Sequence, residues 1–390
     1  MAAFAGAGAA AGCPAGVVIS SAGMLDDPVP MEALRRVLVI KLRHHGDVLL
    51  TSPVFSVLKR RAPQAELDAL VYADSAALLA GNPSISLVHC IDRAWRKLGA
   101  PGRLGEEWRL LSRLRERGYD LVIHLTGHWR GAWIARAVGA RWAVAPVMAR
   151  RGGFWKRSFT HFVSEPRAGG RHVVERNLDA LRRIGVYPEA DERALSLHPG
   201  KEGTARVQGM LAAAGLEPDR FVQIHPASRW RFKCWPAEKM AAFIDRLHAA
   251  GWKVALTAAQ DAAELAMVKT ILDRIQNPVA ANFCGRLSLD ELAALARQAR
   301  LFVGVDSAPM HIAAAVGTPA VAIFGPSGEA LWAPWGIPRH GHHMVVASEG
   351  YSCRPCGQDG CGGGKVSDCL VTLDVERVWS AASAQLGVAT

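Results

Sequence analysis

No Gly-x-Gly-x-x-Gly follows the first apolar strand of this 390-residue chain, and without that turn a nicotinamide dinucleotide loses its usual pyrophosphate seat. Gly362-Gly-Gly-Lys365 lacks both the earlier glycine and the trailing Ser or Thr of a phosphate-binding loop, which excludes an ATPase of that type. Aromatic residues make up only 7% of the chain, so no aromatic-rich binding surface is expected. No run reaches the roughly 18 apolar residues of a membrane-spanning helix. No Lys or Arg precedes Arg35, and a secretory signal needs a basic start, so export is not expected. The Ala/Gly-rich stretch 1–33 reads as a disordered extension, or as sequence upstream of a start at Met24 or Met31.

What is present sets the scale. Half the residues are hydrophobic, and 390 residues exceed what one core organises, which points to two domains. Lys and Arg number 46 against 35 Asp and Glu, a net charge of +11 that favours anionic partners: nucleic acid, a phosphorylated lipid surface or a nucleotide-linked substrate.

From Arg36 onward, short apolar strands alternate with longer amphipathic segments, as in a parallel sheet covered by helices. Strands are expected at 36–41, 66–72 and 120–124, with helices at 47–61, 105–118 and 129–138. The alternation restarts with strands at 221–225, 252–257, 301–305 and 319–324 and helices at 236–250, 262–275, 289–298 and 309–316. Pro188, Pro199, Gly200, Gly203 and Pro218 mark the boundary between the two units. The fold class is therefore α/β, with two doubly wound Rossmann-like domains, 34–200 and 201–372, facing a cleft. A helix in 373–390 is expected to pack back on the first domain.

Three runs carry chemistry. Lys41-Leu-Arg-His-His-Gly-Asp47 leaves the first strand, and Lys41, Arg43, His44 and His45 crowd one loop, a costly arrangement unless anions bind there. Asp47 is either a helix cap or a reactive carboxylate. His225-Pro-Ala-Ser-Arg-Trp-Arg-Phe-Lys-Cys-Trp-Pro236 occupies the equivalent place in the second unit and brings Ser228, Arg229, Arg231 and Lys233 to a helix N-terminus, where cations and amides together suit phosphate. Gly304-Val-Asp-Ser-Ala-Pro-Met-His311 passes from a buried strand to a helix opened by small residues and Pro309. Asp306, Ser307 and His311 are ligand contacts or ordinary caps and core. Separately, Cys353, Cys356, Cys361 and Cys369 form a compact set that suits a structural zinc or a redox-sensitive loop better than disulfides.

These runs, with Phe154-Trp-Lys-Arg-Ser-Phe-Thr-His161, Val174-Glu-Arg-Asn-Leu178 and Phe232-Lys-Cys-Trp235, resemble the ADP-heptose:lipopolysaccharide heptosyltransferases of glycosyltransferase family 9, most of all its heptosyltransferase III branch. The resemblance runs from Arg36 to the C-terminal helix. It implies a GT-B fold and an inverting heptose transfer from ADP-heptose to the lipopolysaccharide inner core, with no catalytic metal or other cofactor. It also implies that Asp47 is the general base and that Ser228 and Lys233 hold the donor diphosphate. Arg229 and Arg231 would add charge there, and Asp306, Ser307, Ala308 and His311 would form the second donor loop. Lys41, Arg43, His44 and His45 would meet phosphate or Kdo carboxylate on the acceptor. An acidic ribose contact belongs near Gln260-Asp261. Ala227 and Ala308 replace a hydroxyl residue and a glycine of the family pattern. A cytoplasmic enzyme lying at the inner face of the inner membrane is implied, against two alternatives: a GT-B epimerase or transferase for another nucleotide sugar, and a nucleic-acid binder, for which no motif is present.

Overall fold

The computed structural model describes residues 27–164 and 170–388. Two six-stranded sheets organise it, every pairing parallel. The first comprises β1 (Arg36–Ile40), β2 (Glu66–Tyr72), β3 (Leu87–Ile91), β4 (Leu121–His124), β5 (Trp142–Pro146) and β6 (His161–Val163), in the order β3-β2-β1-β4-β5-β6. The second comprises β7 (Phe221–His225), β8 (Lys253–Leu256), β9 (Ala281–Asn282), β10 (Leu301–Val305), β11 (Ala320–Phe324) and β12 (Met344–Ala347), in the order β12-β11-β10-β7-β8-β9. Both sheets reverse direction beside their first strand, between β1 and β4 and between β7 and β10, and the crevices outside those strand ends are where doubly wound sheets bind ligands.

Burial on both faces explains why β10 and β11 read as unbroken apolar runs and why β1 does so after Arg36. Successive side chains point to opposite sides, so in β1 Val37 and Val39 enter one core while Leu38 and Ile40 enter the other. In β10, Val303 and Val305 face the core shared with Ile224 and Phe243, and Phe302 faces the opposite layer.

Several expectations change in detail. The single helix expected at 47–61 is two, His45–Leu49 and Ser52–Arg61. Pro53 lacks an amide hydrogen and cannot continue a helix from the preceding turn, and the Thr51 hydroxyl donates to the Val48 carbonyl at the break. Residues 27–33, assigned by sequence to the extension, pack against the first domain: Val29 is buried, Asp27 pairs with Arg183 and Met31–Ala33 forms a 3-10 turn. The rest of that extension, with Met24, lies outside the described residues. The C-terminal helix, Val375–Leu386, does not return to the first domain. Its apolar stripe of Val378, Ala381, Ala382 and Leu386 enters the core of the second sheet, and Trp235 Nε1 and Lys239 Nζ donate to the Leu373 carbonyl just before it.

The domains meet instead through other contacts, among them an apolar seam and a returning segment. Leu49, Leu78 and Leu197 join Leu292, Ala293 and Ile312 in one apolar seam. Beyond β11, the segment around Ala333 and Trp335 reaches back: Trp335 stacks on His172 at 4.4 Å, its Nε1 donates to the Arg193 carbonyl at 2.8 Å, and His172 Nε2 lies 3.0 Å from the Ala333 carbonyl oxygen.

Candidate active site

At the first reversal point, residues after β1 and β4 line a cleft of about 640 Å³ that includes Lys41, Arg43, Asp47, Thr126, His128 and Arg151. The helix Val173–Arg182 closes one wall with Arg176 and Asn177, and Trp332 arrives from the second domain. Lys41 is buried on the floor, where its Nζ donates to Asn177 Oδ1 at 2.9 Å. Burial draws its pKa down to about 8, opposed by the Asp47 carboxylate and assisted by the Arg43 charge. The bond to Asn177 fixes the Lys41 ammonium on that floor, within the electrostatic reach of Asp47.

Of the four residues expected to face the acceptor, Lys41 and Arg43 line the cleft. His45 does not: its Nδ1 lies 2.9 Å from Ser75 Oγ, because the short helix His45–Leu49 turns that ring toward the neighbouring loop. His44 precedes the helix at the mouth and is exposed. Burial lowers its pKa, Asp47 works against that shift, and Arg229 of the second domain adds to it. The cleft also contains Thr126, His128, Arg151 and Arg176, which no motif singled out. Arg176 and Asn177 lie inside the Val174–Leu178 stretch that carried the resemblance, so the signal for them existed. Arg151 is brought in from beyond β5 by its bond to the Gly127 carbonyl and its stacking on Trp129.

At the second reversal point, the loops after β7 and β10 converge. Lys233 Nζ sits 2.7 Å from Asp306 Oδ2. Ser228 is buried and its Oγ accepts from the Trp230 amide at 3.2 Å, while Arg229 and Arg231 are exposed beside it. Ser307 precedes the helix Ala308–Ala315, its hydroxyl donating back to the Val305 carbonyl at 3.2 Å rather than capping, with Pro309 in the first turn. The amides of Ser307 and Ala308 lie at a helix N-terminus, which carries partial positive charge. His311 is buried and its Nδ1 has no partner among the described residues; burial pushes its pKa to about 4, against the pull of Asp306.

The two loops face each other. A Cβ placed on Gly46 would lie 3.1 Å from His311 Cδ2 and 3.8 Å from the Ala308 Cα. Asp47 therefore follows a glycine packed against the helix Ala308–Ala315, where an added Cβ would push the His311 ring back by a few tenths of an ångström.

Two acids stand near Gln260, where an acidic ribose contact was expected. Asp261 Oδ1 accepts from the amides of Ala263 and Glu264 and is committed to capping its helix. Glu264 is the buried acid at this end of β8, its pKa raised by desolvation, with the Ala259 amide donating to it at 3.0 Å.

The four clustered cysteines do not form the zinc site that their spacing suggested. Cys353, Cys356, Cys361 and Cys369 are all free thiols, and among the described residues no three or more His, Cys, Asp or Glu side chains converge to hold a metal ion. Cys369 is buried under the loop while Cys353 and Cys361 point to solvent.

Comparison with known proteins agrees with this geometry. Residues 107–366 match the family described as glycosyltransferase family 9 (heptosyltransferase). A lipopolysaccharide heptosyltransferase 3 of Escherichia coli is 39% identical over 295 residues, covering 75% of this chain and 84% of the relative. Among solved structures, a family 9 glycosyltransferase from Veillonella parvula superposes with a TM-score of 0.75 at 22% identity, covering 90% of this chain and 97% of that one. E. coli ADP-heptose lps heptosyltransferase II gives 0.69 at 21% identity, covering 90% and 98%.

Proposed function

The chain belongs to glycosyltransferase family 9, the heptosyltransferases, and from that premise we propose how its two facing loops carry out the transfer. The enzyme transfers heptose to the lipopolysaccharide core. The donor is ADP-heptose, bound at the second domain, and the acceptor is a sugar hydroxyl of the inner core, bound in the first. As in the heptosyltransferase III branch, the product is a side-branch heptose.

Asp47 takes the proton from the acceptor hydroxyl while that oxygen attacks the anomeric carbon from the face opposite the leaving group. The bond from the anomeric carbon to the diphosphate oxygen breaks with inversion, and ADP departs with the electron pair. Lys41, buried on the floor of the cleft, places a positive charge near Asp47. Charge accumulating on the diphosphate is met by Lys233, Arg229, Arg231, the Ser228 hydroxyl and the amides of Ser307 and Ala308, a preorganised set that needs no metal. Lys233 is paired with Asp306 at 2.7 Å before donor arrives. Diphosphate competes for that ammonium and frees the Asp306 carboxylate to accept from heptose hydroxyls. Glu264, unlike Asp261, has no capping duty and is left to meet the ribose. Arg43, Arg151 and Arg176 supply cations for the phosphate or Kdo carboxylate of the acceptor, which is lipid-anchored, so the enzyme works peripherally at the inner face of the cytoplasmic membrane.

The observation that carries this reading is the contact of Gly46 with His311 and Ala308, which sets the carboxylate loop of one domain against the donor loop of the other. Incubating the enzyme with ADP-heptose and defined truncated cores, then weighing the products, tests it. A gain of one heptose on a core acceptor is expected; transfer from a different nucleotide sugar, or none, would refute it.

A further inference from the structure

The net charge of the chain is not spread over it. Residues 93–157 hold fifteen Lys and Arg against four Asp and Glu, a balance of +11 equal to that of the whole protein, so the remainder is neutral in sum. The same segment contains six of the twelve tryptophans. A low aromatic content overall thus conceals a local concentration.

The fold turns much of that segment outward. In the helix Ala100–Arg117 the core takes Leu110 and Leu114, while Leu104 and Trp108, one turn apart on another face, are 68% and 70% exposed. Beside it, the helix Trp129–Val138 buries Gly131, Ala132, Ile134 and Ala135 and leaves Trp133 62% exposed, packed only along one side against Phe154 at 4.5 Å. An ion pair between Arg130 and Glu107 ties the two helices together. Leu98 is exposed just ahead of the first helix. Around these apolar groups stand Arg96, Lys97, Arg103, Arg136, Arg150 and Lys156, all exposed and without an ion pair among the described residues. The acids of the face, Glu106 and Glu107, are already neutralised by Arg109 and Arg130.

Single exposed apolar residues are ordinary, whereas large rings and leucines grouped within a basic rim mark an interaction surface. Tryptophan with Lys and Arg is the combination that settles at a bilayer's headgroup boundary, where the ring takes the acyl edge and the cations take anionic headgroups. The position fits as well. Both helices begin at the carboxyl edge of the first sheet, and Arg151, which lines the acceptor cleft, stacks on Trp129 at 4.4 Å.

We propose that the outer face of the helices Ala100–Arg117 and Trp129–Val138 is a docking surface for an anionic lipid bilayer, placing the mouth of the acceptor cleft at the membrane. This rests on the reading of the acceptor as lipid-anchored. Nucleic acid would use the cations but has no need of Leu104 and Trp108 exposed on a convex helix face.

The test is co-sedimentation of the full chain with vesicles of phosphatidylethanolamine and phosphatidylglycerol, and with vesicles of phosphatidylcholine alone. The intact protein should pellet with the anionic vesicles and not with the neutral ones. The double variants L104S/W108S and K97E/R103E should each reduce partitioning at least about tenfold, with unchanged melting temperature and unchanged transfer to a lipid-free core oligosaccharide. Equal pelleting on neutral vesicles, variants that pellet like the parent, or tighter retention on duplex DNA than on anionic vesicles would overturn the proposal. Because sedimentation needs no sugar donor, its failure is separate from a failure of heptose transfer.

Discussion

Lys233 Nζ lies 2.7 Å from the Asp306 carboxylate, joining the loop after β7 to the loop after β10 with a pair whose acid is buried and whose base is only partly so. The pair ties the two loops together at the second reversal point.

Lys233→Ala should therefore act twice. It removes a charge-assisted contact to diphosphate, so ADP affinity should fall by about 10- to 100-fold, and it leaves Asp306 buried without a cation, costing about 1–3 kcal/mol of stability. Calorimetric titration with ADP and a urea melt separate the two effects. Unchanged ADP affinity would remove Lys233 from the donor site.

Asp47→Asn keeps shape and loses the base. Its kcat should drop about 10²- to 10⁴-fold while ADP binding stays near that of the parent, measured by single-turnover transfer and by titration. Near-normal transfer would require another base.

Lys41 has a pH signature. Its folded pKa, about 8, is below the ordinary lysine value of 10.5, so between those limits the unfolded chain binds more protons and stability rises with pH. Stability relative to a Lys41→Met variant should climb between pH 8 and 10.5 and be lost as pH falls back through 8. Parallel stability curves for the two proteins would show that Lys41 is not the buried cation described.

His225 and His311 predict acid sensitivity. Burial lowers each from 6.5 to about 4. The unfolded chain takes up protons first, so their contribution is intact above pH 6.5 and is lost as pH falls through 4. Replacing His225 with Asn should flatten the stability curve in that window by up to one proton, about 1.4 kcal/mol per pH unit. An unchanged slope in chemical denaturation would count against it.

Trp335→Ala tests the return contact between domains. Losing its stack on His172 and its bond to the Arg193 carbonyl should cost about 2 kcal/mol or more and widen the scattering envelope. A variant as compact and stable as the parent would place the domain coupling in the Leu49–Ile312 seam and the contact of Gly46 with the helix Ala308–Ala315.

The runs 36–40, 66–72, 221–225 and 301–305 are legible as strands because both of their faces are buried and apolar residues dominate them, with only Asp68 inside the second and Gln223 inside the third, both buried. β3, β5, β6, β9 and β12 escaped notice. β6 and β9 are three and two residues long, too short for any period, and Leu-Val-His-Cys-Ile in β3 shows neither alternation nor a uniform run. The loops after β1, β7 and β10 were legible as sites because each places charge and small residues directly after a buried strand.

By itself the sequence determined two parallel α/β units, three charged loops at their strand ends and a family whose chemistry those loops suit, since strand and turn preferences act over a few neighbouring residues. Only the tertiary structure decided that His45 turns to Ser75, that Arg151 and Arg176 join Arg43 in the cleft, and that the last helix completes the second core. It also decided that Leu104, Trp108 and Trp133 stay exposed within a segment rich in cations that are unpaired among the described residues. Each depends on contacts between residues far apart in the chain, where burial and pairing outweigh local preference.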